Sequence, residues 1–218
     1  ALAFNNADSS DINNWIINTR NNVIMNNMFQ NASVFNQPLN LWNTSKVTNM
    51  SSMFRNTNTF NQNVGLWNTS NVTSIVSMFQ DAKAFNNGGS LDINNWVITN
   101  ISDLTSLFQG AMIFNQPLGN WNTSNVTNMT NVFASASAFN QNLGAWNVSN
   151  VTNFSNTFYF CAFNNGGSNT INNWTLKTTG TVNLAGMFQN NSVFNQPIGN
   201  WNTSAVTNMT GIFAFAFA

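Results

Sequence analysis

The sequence predicts an α/β repeat solenoid of about eight coils, each of about 25 residues. Three observations support this fold class. Close copies of the stretch FNQPLGNWNTSNVTNMTNVF, residues 114–133, recur along the chain. The copies keep a nearly constant spacing, and apolar residues occupy fixed positions inside each copy. Because a repeat of this length buries its apolar face only against neighbouring copies, residues 1–218 are expected to form a single continuous domain.

Each copy is marked by one tryptophan and by one phenylalanine, which follows methionine in four of the eight copies. The tryptophans are Trp15, Trp42, Trp67, Trp96, Trp121, Trp146, Trp174 and Trp201. The phenylalanines are Phe29, Phe54, Phe79, Phe108, Phe133, Phe158, Phe188 and Phe213. With the second phenylalanine of each F-N pair, these side chains are expected to stack in rows that dominate the core, since burying one contributes roughly 1.5 to 3 kcal/mol.

Two patterns predict the elements within a copy. Residues 39–42 favour an extended chain, and Ser45 can cap a helix that follows it. The next apolar positions recur at steps of three and four, at Val47, Met50, Met53 and Phe54. This spacing predicts a helix or 3₁₀ turn of about two to three turns. The alternative is an all-β solenoid in which the V-T-x-M segment forms a second strand.

The chain carries very little charge. It has five basic residues, five Asp, no Glu, no His and 49 Asn, so that charged residues make up 5%, against about a quarter in ordinary soluble domains. A net charge of zero offers nothing to attract nucleic acid or anionic lipid. No apolar run approaches the roughly 20 residues of a membrane helix. Because little repulsion separates copies of such a chain, protein partners in an assembly are expected.

Both ends of the sequence fall inside the repeat pattern. Residues 1–5 match residues 32–36, and the alternation of Phe and Ala after Phe213 departs from the repeat. Solenoids need polar terminal caps to stay soluble. The sequence is therefore expected to be a fragment of a longer chain.

A second period of three coils, about 80 residues, is visible in the connectors that lead from F-N to Trp. Long connectors ending in I-N-N-W precede Trp15, Trp96 and Trp174, and the connectors between them are short. The long connectors are expected to project from one edge, roughly 14 Å apart at the spacing of paired strands. They supply the candidate binding residues Asn87, Gly88, Gly89, Asn165, Gly166 and Gly167. The alternative is that they are tolerated surface insertions.

Groups suited to catalysis or metal binding are sparse. Without His, neither a His-activated nucleophile nor the usual zinc ligand sets can form. Asp11 and Asp92 occupy equivalent positions of the long connectors, but Thr170 takes that position in the third. No catalytic residue, metal site or cofactor is therefore predicted. The single Cys161 replaces a small residue and is expected to be a buried apolar side chain.

Asparagine follows tryptophan in five copies, at Asn43, Asn68, Asn122, Asn147 and Asn202. In a structural interpretation, these amides stack in register and satisfy backbone groups at the bend. In a functional interpretation, they carry glycans, because N-T-S and N-V-T match the glycosylation acceptor pattern. Threonines at constant spacing also suggest an ice- or mineral-binding face made by Thr44, Thr69, Thr123 and Thr203.

The consensus W-N-T-S-x-V-T-x-M-x-x-M-F-x-x-A-x-x-F-N-Q resembles the repeat of the BspA-like leucine-rich-repeat surface proteins, which is also recognised in mycoplasma lipoproteins. The resemblance covers residues 1–213. It implies a right-handed, leucine-rich-repeat-like solenoid at an extracellular, cell or virion surface, and no catalytic residues. Some bacterial members of that family are adhesins for host matrix proteins. The family repeat usually has Asp where this chain has Asn43, Asn49, Asn68, Asn122 and Asn128.

Two main functional hypotheses follow. The first is a non-enzymatic structural or interaction protein, a scaffold or surface component of a large assembly such as a virus capsid or an extracellular layer. The alternative is a cell-surface adhesin that binds host protein or glycan through a polar face of Asn and Thr. An enzyme is not predicted.

Overall fold

The computed structural model describes residues 4–217, and its regular secondary structure consists of short segments only. Six 3₁₀ helices span Asn6–Asp8, Ser10–Asn14, Asn87–Gly89, Leu91–Asn95, Asn165–Gly167 and Asn169–Asn173. Four strands are β1 (Val23–Ile24), β2 (Val47–Asn49), β3 (Val182–Asn183) and β4 (Val206–Asn208). Within these residues there is no α-helix, and no helix is long and apolar enough to cross a membrane.

Equivalent positions of successive repeats pair in parallel. We number the repeats 1 to 8 by the order of their tryptophans, from Trp15 to Trp201. β1 of repeat 1 pairs with β2 of repeat 2, and β3 of repeat 7 pairs with β4 of repeat 8. Isolated parallel bridges continue the series, joining Asn49 to Ser74, Asp103 to Asn128, Asn128 to Asn153 and Asn153 to Asn183. Each repeat therefore lies beside the next one in the sequence.

Of the helix or 3₁₀ turn predicted after Ser45, the regular helix is not formed, and 3₁₀-type turns take its place. Val47–Asn49 is β2, and residues 51–56 are a series of turns, whereas residues 39–42, the predicted extended segment, contain no strand. Ser52 and Asn56 explain this, because their φ angles are 55° and 60°. A right-handed helix requires negative φ at every residue.

Residues with positive φ recur at these two positions in every repeat. The first position holds Asn27, Ser52, Ser77, Ser106, Asn131, Asn156, Gly186 and Gly211. The second holds Asn31, Asn56, Asp81, Gly110, Ser135, Phe160, Asn190 and Phe215. Asn, Asp and Gly tolerate this conformation best, which accounts for most of the residue choices there.

This backbone alternates hydrogen bonds within a repeat and between repeats. The Met53 N–H donates to the Met50 carbonyl over 3.1 Å, three residues back, as in a 3₁₀ turn. The next amide, that of Phe54, donates to Met78 of the following repeat over 2.9 Å. The turn segment therefore satisfies its own groups and also ties neighbouring repeats together.

The predicted rows of stacked phenylalanines are confirmed. The row from Phe29 to Phe213 is continuous, with centroids of successive rings 5.5 to 5.8 Å apart. A second row is formed by the phenylalanines of the F-N pairs. Within a repeat, the two rings stack more closely, as Phe79 and Phe85 do at 3.8 Å. The rows form one apolar core through the repeats.

Each tryptophan from Trp42 onward links two repeats through its indole N–H. Trp121 Nε1 donates to the carbonyl of Ile93 over 2.9 Å, and Ile93 lies three residues before Trp96. The same bond is made by all seven tryptophans that have a preceding repeat among the described residues, over 2.8 to 3.2 Å. A buried indole N–H needs such a partner, so the tryptophans define the register between repeats.

Candidate functional site

The long connectors fold back on the preceding repeat. Asn87 is fully buried, its Oδ1 accepting the Val64 N–H over 2.9 Å and its Nδ2 donating to the Ser90 carbonyl over 2.9 Å. Asn165 makes the equivalent bonds to Leu143 and Ser168. Two of the six candidate binding residues therefore have a structural role, with their amides enclosed by the fold.

The four candidate glycines lie at the surface of the long connectors. Gly88 and Gly166 have φ angles of 60° and 61°, and Gly89 and Gly167 have φ angles of 79° and 76°. A Cβ added to Gly89 or Gly167 would meet nothing within 4 Å. These glycines are accessible to a partner, and their role in binding stays a prediction.

In the repeat that precedes a long connector, a glycine packs directly against that connector. A Cβ added to Gly65 would lie 2.5 Å from the Ile93 backbone nitrogen and 2.6 Å from the Asp92 carbonyl carbon. Gly144 is equally enclosed, by Thr170 of the third connector. At the same repeat position, Gly199 is followed by no long connector among the described residues, and its added Cβ would meet nothing within 4 Å.

The carboxylate of Asp92 in the second long connector has structural partners. Asp92 Oδ2 accepts hydrogen bonds from Ser90 Oγ at 2.7 Å and from Asn63 Nδ2 of the preceding repeat at 3.3 Å. Thr170 makes the equivalent contact through its hydroxyl, which donates to Asn142 Oδ1 at 3.0 Å. Among residues 4–217, no three His, Cys, Asp or Glu side chains are placed together so that they could hold a metal ion.

The asparagines that follow tryptophan close local turns. Asn122 Oδ1 accepts the Ser124 N–H over 3.1 Å, and the same bond two residues ahead is made by Asn43, Asn68, Asn147 and Asn202. The structural interpretation is therefore correct about the backbone groups at the bend. These side chains do not bond to their equivalents in neighbouring repeats, so the expected ladder is absent from this position.

The ladder lies instead at the asparagine of each F-N pair. Asn61 Oδ1 accepts the backbone N–H of Asn86 over 2.7 Å, and Asn61 in turn donates its own N–H to Asn36 Oδ1. The row comprises Asn5, Asn36, Asn61, Asn86, Asn115, Asn140, Asn164 and Asn195. The sequence contained a signal for it, because this Asn occurs in all eight F-N pairs, whereas three repeats lack Asn after Trp.

The threonine row suggested for ice or mineral binding is buried in three of its four positions. Thr44, Thr69 and Thr123 are 1 to 2% exposed. Thr44 Oγ1 donates to the Asn68 carbonyl of the next repeat over 3.1 Å, and Thr123 bonds to Asn147 in the same way. A lattice-matching face needs exposed hydroxyls, so this hypothesis is wrong.

Two clefts recur where a long connector meets the repeat that follows it. The first has a volume of about 350 Å³ and is lined by Asn13, Asn14, Trp15, Ile16, Ile17, Thr19, Leu41 and Asn43. The second has a volume of about 330 Å³ and is lined by Asn94, Asn95, Trp96, Val97, Ile98, Thr99, Asn120 and Asn122. We call them the first and second connector clefts. Seven of the eight lining positions are equivalent in the repeat, and no charged side chain lines either cleft.

The residue after tryptophan is the sequence signal for these clefts. Repeats that begin with a long connector have Ile16, Val97 or Thr175 there in place of Asn. Ile16 is 97% exposed and Val97 is 44% exposed. The substitution follows the same three-repeat period as the connectors, so it was an available signal for the clefts in the sequence.

Large aliphatic side chains are also exposed, and one of them, Leu41, lines the first cleft. Leu41 and Leu66 occupy the same position in repeats 2 and 3, and both are mostly exposed. Leu91 of the second long connector is similarly exposed. In repeats 5 and 6 the position of Leu41 and Leu66 is taken by Asn120 and Ala145, so the apolar surface is not a requirement of the repeat.

Cys161 is buried, as predicted. Its Sγ lies 3.2 Å from the Ala136 carbonyl oxygen of the preceding repeat. Burial raises the pKa of this thiol from 9.0 to about 12, although backbone hydrogen bonds from Phe163 and Ala162 oppose the shift. The thiol is therefore neutral and unreactive at ordinary pH.

Comparison with known proteins identifies a repeat family. The family model described as "Mycoplasma protein of unknown function, DUF285" matches residues 1–91, 88–178 and 168–218. The three matches together cover the whole chain. No curated protein and no solved structure matches significantly.

Proposed function

The chain belongs to the family of Mycoplasma proteins of unknown function, DUF285, and we propose that it is a non-enzymatic scaffold or surface component of a large assembly. The assembly is a virus particle or an extracellular layer. The chain itself is a leucine-rich-repeat-like solenoid of the BspA-like type. Its place is a cell or virion surface, where its partners are proteins of the assembly.

The observation that supports this proposal is the use of several rows of repeated polar side chains to join neighbouring repeats. The F-N asparagines accept a backbone N–H from the next repeat, and the indoles donate to the previous one. The asparagine four residues after Trp does the same where it is present, as Asn125 Nδ2 donates to the Thr99 carbonyl over 2.7 Å. A chain so extensively cross-bonded is suited to mechanical support, because each bond is repeated along the stack.

Exposed leucines favour a partner protein over free solution. Leu41, Leu66 and Leu91 are each about two-thirds exposed, and few charges are available to keep copies apart. Clusters of exposed apolar side chains commonly mark interaction sites. In the assembly, Leu66 and Leu91, which lie outside the lining of both connector clefts, are covered by a neighbouring subunit.

Co-purification tests the proposal. A scaffold component should remain with its particle or layer through a density gradient, in a constant molar ratio to the other components. Leu66→Ser together with Leu91→Ser should release it, whereas Val34→Ser, an exposed aliphatic next to the F-N pair of repeat 2, should not. Recovery of the unaltered protein as a free species in variable amounts would rule out the scaffold.

The second candidate is a cell-surface adhesin for host protein or glycan. The connector clefts favour it, because they are open, uncharged and repeated. An adhesin must be reachable from outside. Amine-reactive labelling of intact cells or particles at the exposed Lys83 should then succeed, and complete protection of Lys83 would exclude this candidate.

A further inference from the structure

The two connector clefts are a repeated site with unused hydrogen-bonding capacity. In the second cleft, the side chains of Asn95 and Asn120 make no hydrogen bond within the described residues. Asn122 uses its Oδ1 for the turn at Ser124, and its Nδ2 makes no bond within the same residues. In the first cleft, the side chain of Asn14 and the Nδ2 of Asn43 likewise make no hydrogen bond within the described residues. Elsewhere, many repeated asparagines are committed to bonds between repeats, so the free amides of the clefts are available to a ligand.

Each cleft combines these amides with an apolar side chain. Ile16 stands beside Asn14 in the first cleft, and Val97 stands beside Asn95 in the second. Small-molecule sites typically have this composition, with apolar lining and a few polar groups that determine orientation. Their volumes, about 350 and 330 Å³, are at the lower end of the range for such sites.

The chemistry of the lining indicates a neutral polyhydroxyl ligand. An amide both donates and accepts hydrogen bonds, as a hydroxyl does, so free amides suit hydroxyl groups in either role. No Lys or Arg lines either cleft, and such residues are the usual partners of carboxylates, sulfates and phosphates. An apolar side chain can pack against the C–H groups of a sugar ring. An anionic ligand would find no counter-charge in either cleft.

The spacing of the clefts indicates a linear ligand. Equivalent residues of the two clefts, such as Trp15 and Trp96, are separated by three repeats. At the separation of paired strands this amounts to about 14 Å. The third long connector carries Asn173, Asn200 and Asn202 at equivalent positions, with Thr175 in place of the apolar Ile16 and Val97. A chain of sugars lying along the repeats would therefore meet asparagine amides periodically.

We propose that the connector clefts bind a neutral linear polysaccharide along the row of long connectors. One sugar face packs on Ile16 or Val97, and its hydroxyls bond to the free amides. Because consecutive clefts engage one ligand, affinity rises with the length of the oligosaccharide. This inference goes beyond the scaffold proposal, since a scaffold that binds no glycan would still co-purify with its particle.

Titration calorimetry with glucan and mannan oligomers of increasing length tests the site. Binding should appear in at least one neutral series and strengthen as the oligomer becomes long enough to span two clefts. The double variant Asn95→Ala with Asn120→Ala removes only side chains without bonds to the described fold. It should weaken binding of the long oligomers about tenfold, to the affinity of a short one. Asn58→Ala, an exposed amide at the opposite turn, should leave binding unchanged.

Urea unfolding of each variant verifies that the fold is intact, so that lost binding reports on the cleft. Three results would overturn the proposal. They are the absence of binding to every neutral oligomer, equal binding by the cleft variant and the unaltered protein, and tighter binding of an anionic glycan such as heparin than of any neutral one.

Discussion

Asparagine serves two chemically different purposes at the scale of single residues. After tryptophan and in the V-T-N segment it only accepts a hydrogen bond, as Asn128 Oδ1 does from the Thr130 N–H at 3.1 Å. Asp103 fills the position of Asn128 in the preceding repeat and accepts the Thr105 N–H at 2.8 Å. Four residues after tryptophan, in contrast, the amide must donate. Only the first kind of position can accept Asp without the loss of a bond.

The first prediction separates these two kinds of asparagine. Asn125→Asp removes the donor to the Thr99 carbonyl and places a carboxylate beside it, so unfolding free energy should fall by about 1 kcal/mol. Asn128→Asp should be nearly neutral. Urea unfolding of the two variants measures the difference, and an equal loss in both would contradict the assignment of roles.

The second prediction concerns the thiol of Cys161. Its pKa is raised to about 12 in the folded chain, so a disulfide reagent such as DTNB should not react with the native protein at pH 8. It should react fully in urea. Between pH 9 and 12 the unfolded chain loses this proton while the folded chain keeps it, and stability should therefore fall with rising pH in that window.

Cys161→Ala is the control for the thiol, because alanine occupies the equivalent position in the preceding repeat, at Ala136. This variant should lose less stability between pH 9 and 12 than the unaltered protein. Rapid labelling of native Cys161 at pH 8, or identical pH profiles for both proteins, would show that the thiol is not protected by burial.

At the scale of elements, the segment after Ser45 takes the turn form of the helix or 3₁₀ turn that the apolar spacing predicted. Steps of three and four are shared by a helix and by a chain of 3₁₀-type turns, so spacing alone could not distinguish them. The informative residues are the Asn, Ser and Gly at the positive-φ positions, such as Asn27 and Gly186. They are common at turns and unfavourable inside helices, and their regular recurrence was the available clue.

The third prediction tests how the long connectors pack. Gly65→Ala places a Cβ against the backbone of Asp92 and Ile93, and displacing that connector should cost about 1 to 3 kcal/mol. Gly199→Ala, at the same repeat position with open space around it, should change stability by less than about 0.5 kcal/mol. Thermal unfolding compares them. Equal stability of the two variants would mean that the connector is not held against Gly65.

At the scale of the whole molecule, stability is the sum of interactions between neighbours. Phe108 stacks on Phe79 on one side and on Phe133 on the other, with centroids 5.7 and 5.8 Å apart. No contact of this kind skips a repeat in the described chain. Cooperative unfolding therefore depends on every interface in the series.

The fourth prediction concerns an interface in the middle of the chain. Trp121→Ala leaves a cavity in the core and removes the indole bond to Ile93, and it should cost about 3 to 5 kcal/mol. The two halves should then unfold in separate steps, because each retains its own interfaces. Hydrogen exchange followed by mass spectrometry would resolve them.

Trp15→Ala is the matched change in repeat 1, where the ring is 52% exposed. It should cost much less and leave the main unfolding transition single. A single transition in the Trp121 variant, with loss of protection spread evenly over all repeats, would contradict nearest-neighbour coupling.

The sequence by itself determined the repeat, the membership of the aromatic rows and the burial of Cys161. These features follow from composition and period, because a side chain at one position of a stacked repeat must contact the equivalent side chain of the neighbouring repeat. It also located the long connectors, although not how they pack.

Only the tertiary structure decided which polar groups are free. Asn87 and Asn165 are enclosed by backbone groups of the preceding repeat, and Thr44 is buried against the next one, whereas Asn95 faces an open cleft. All of these residues look alike in the sequence, being small polar side chains at regular intervals. They differ because the backbone of a neighbouring repeat, some 25 residues away, offers a hydrogen-bond partner to some of them and not to others. The local sequence pattern around each residue does not contain this information.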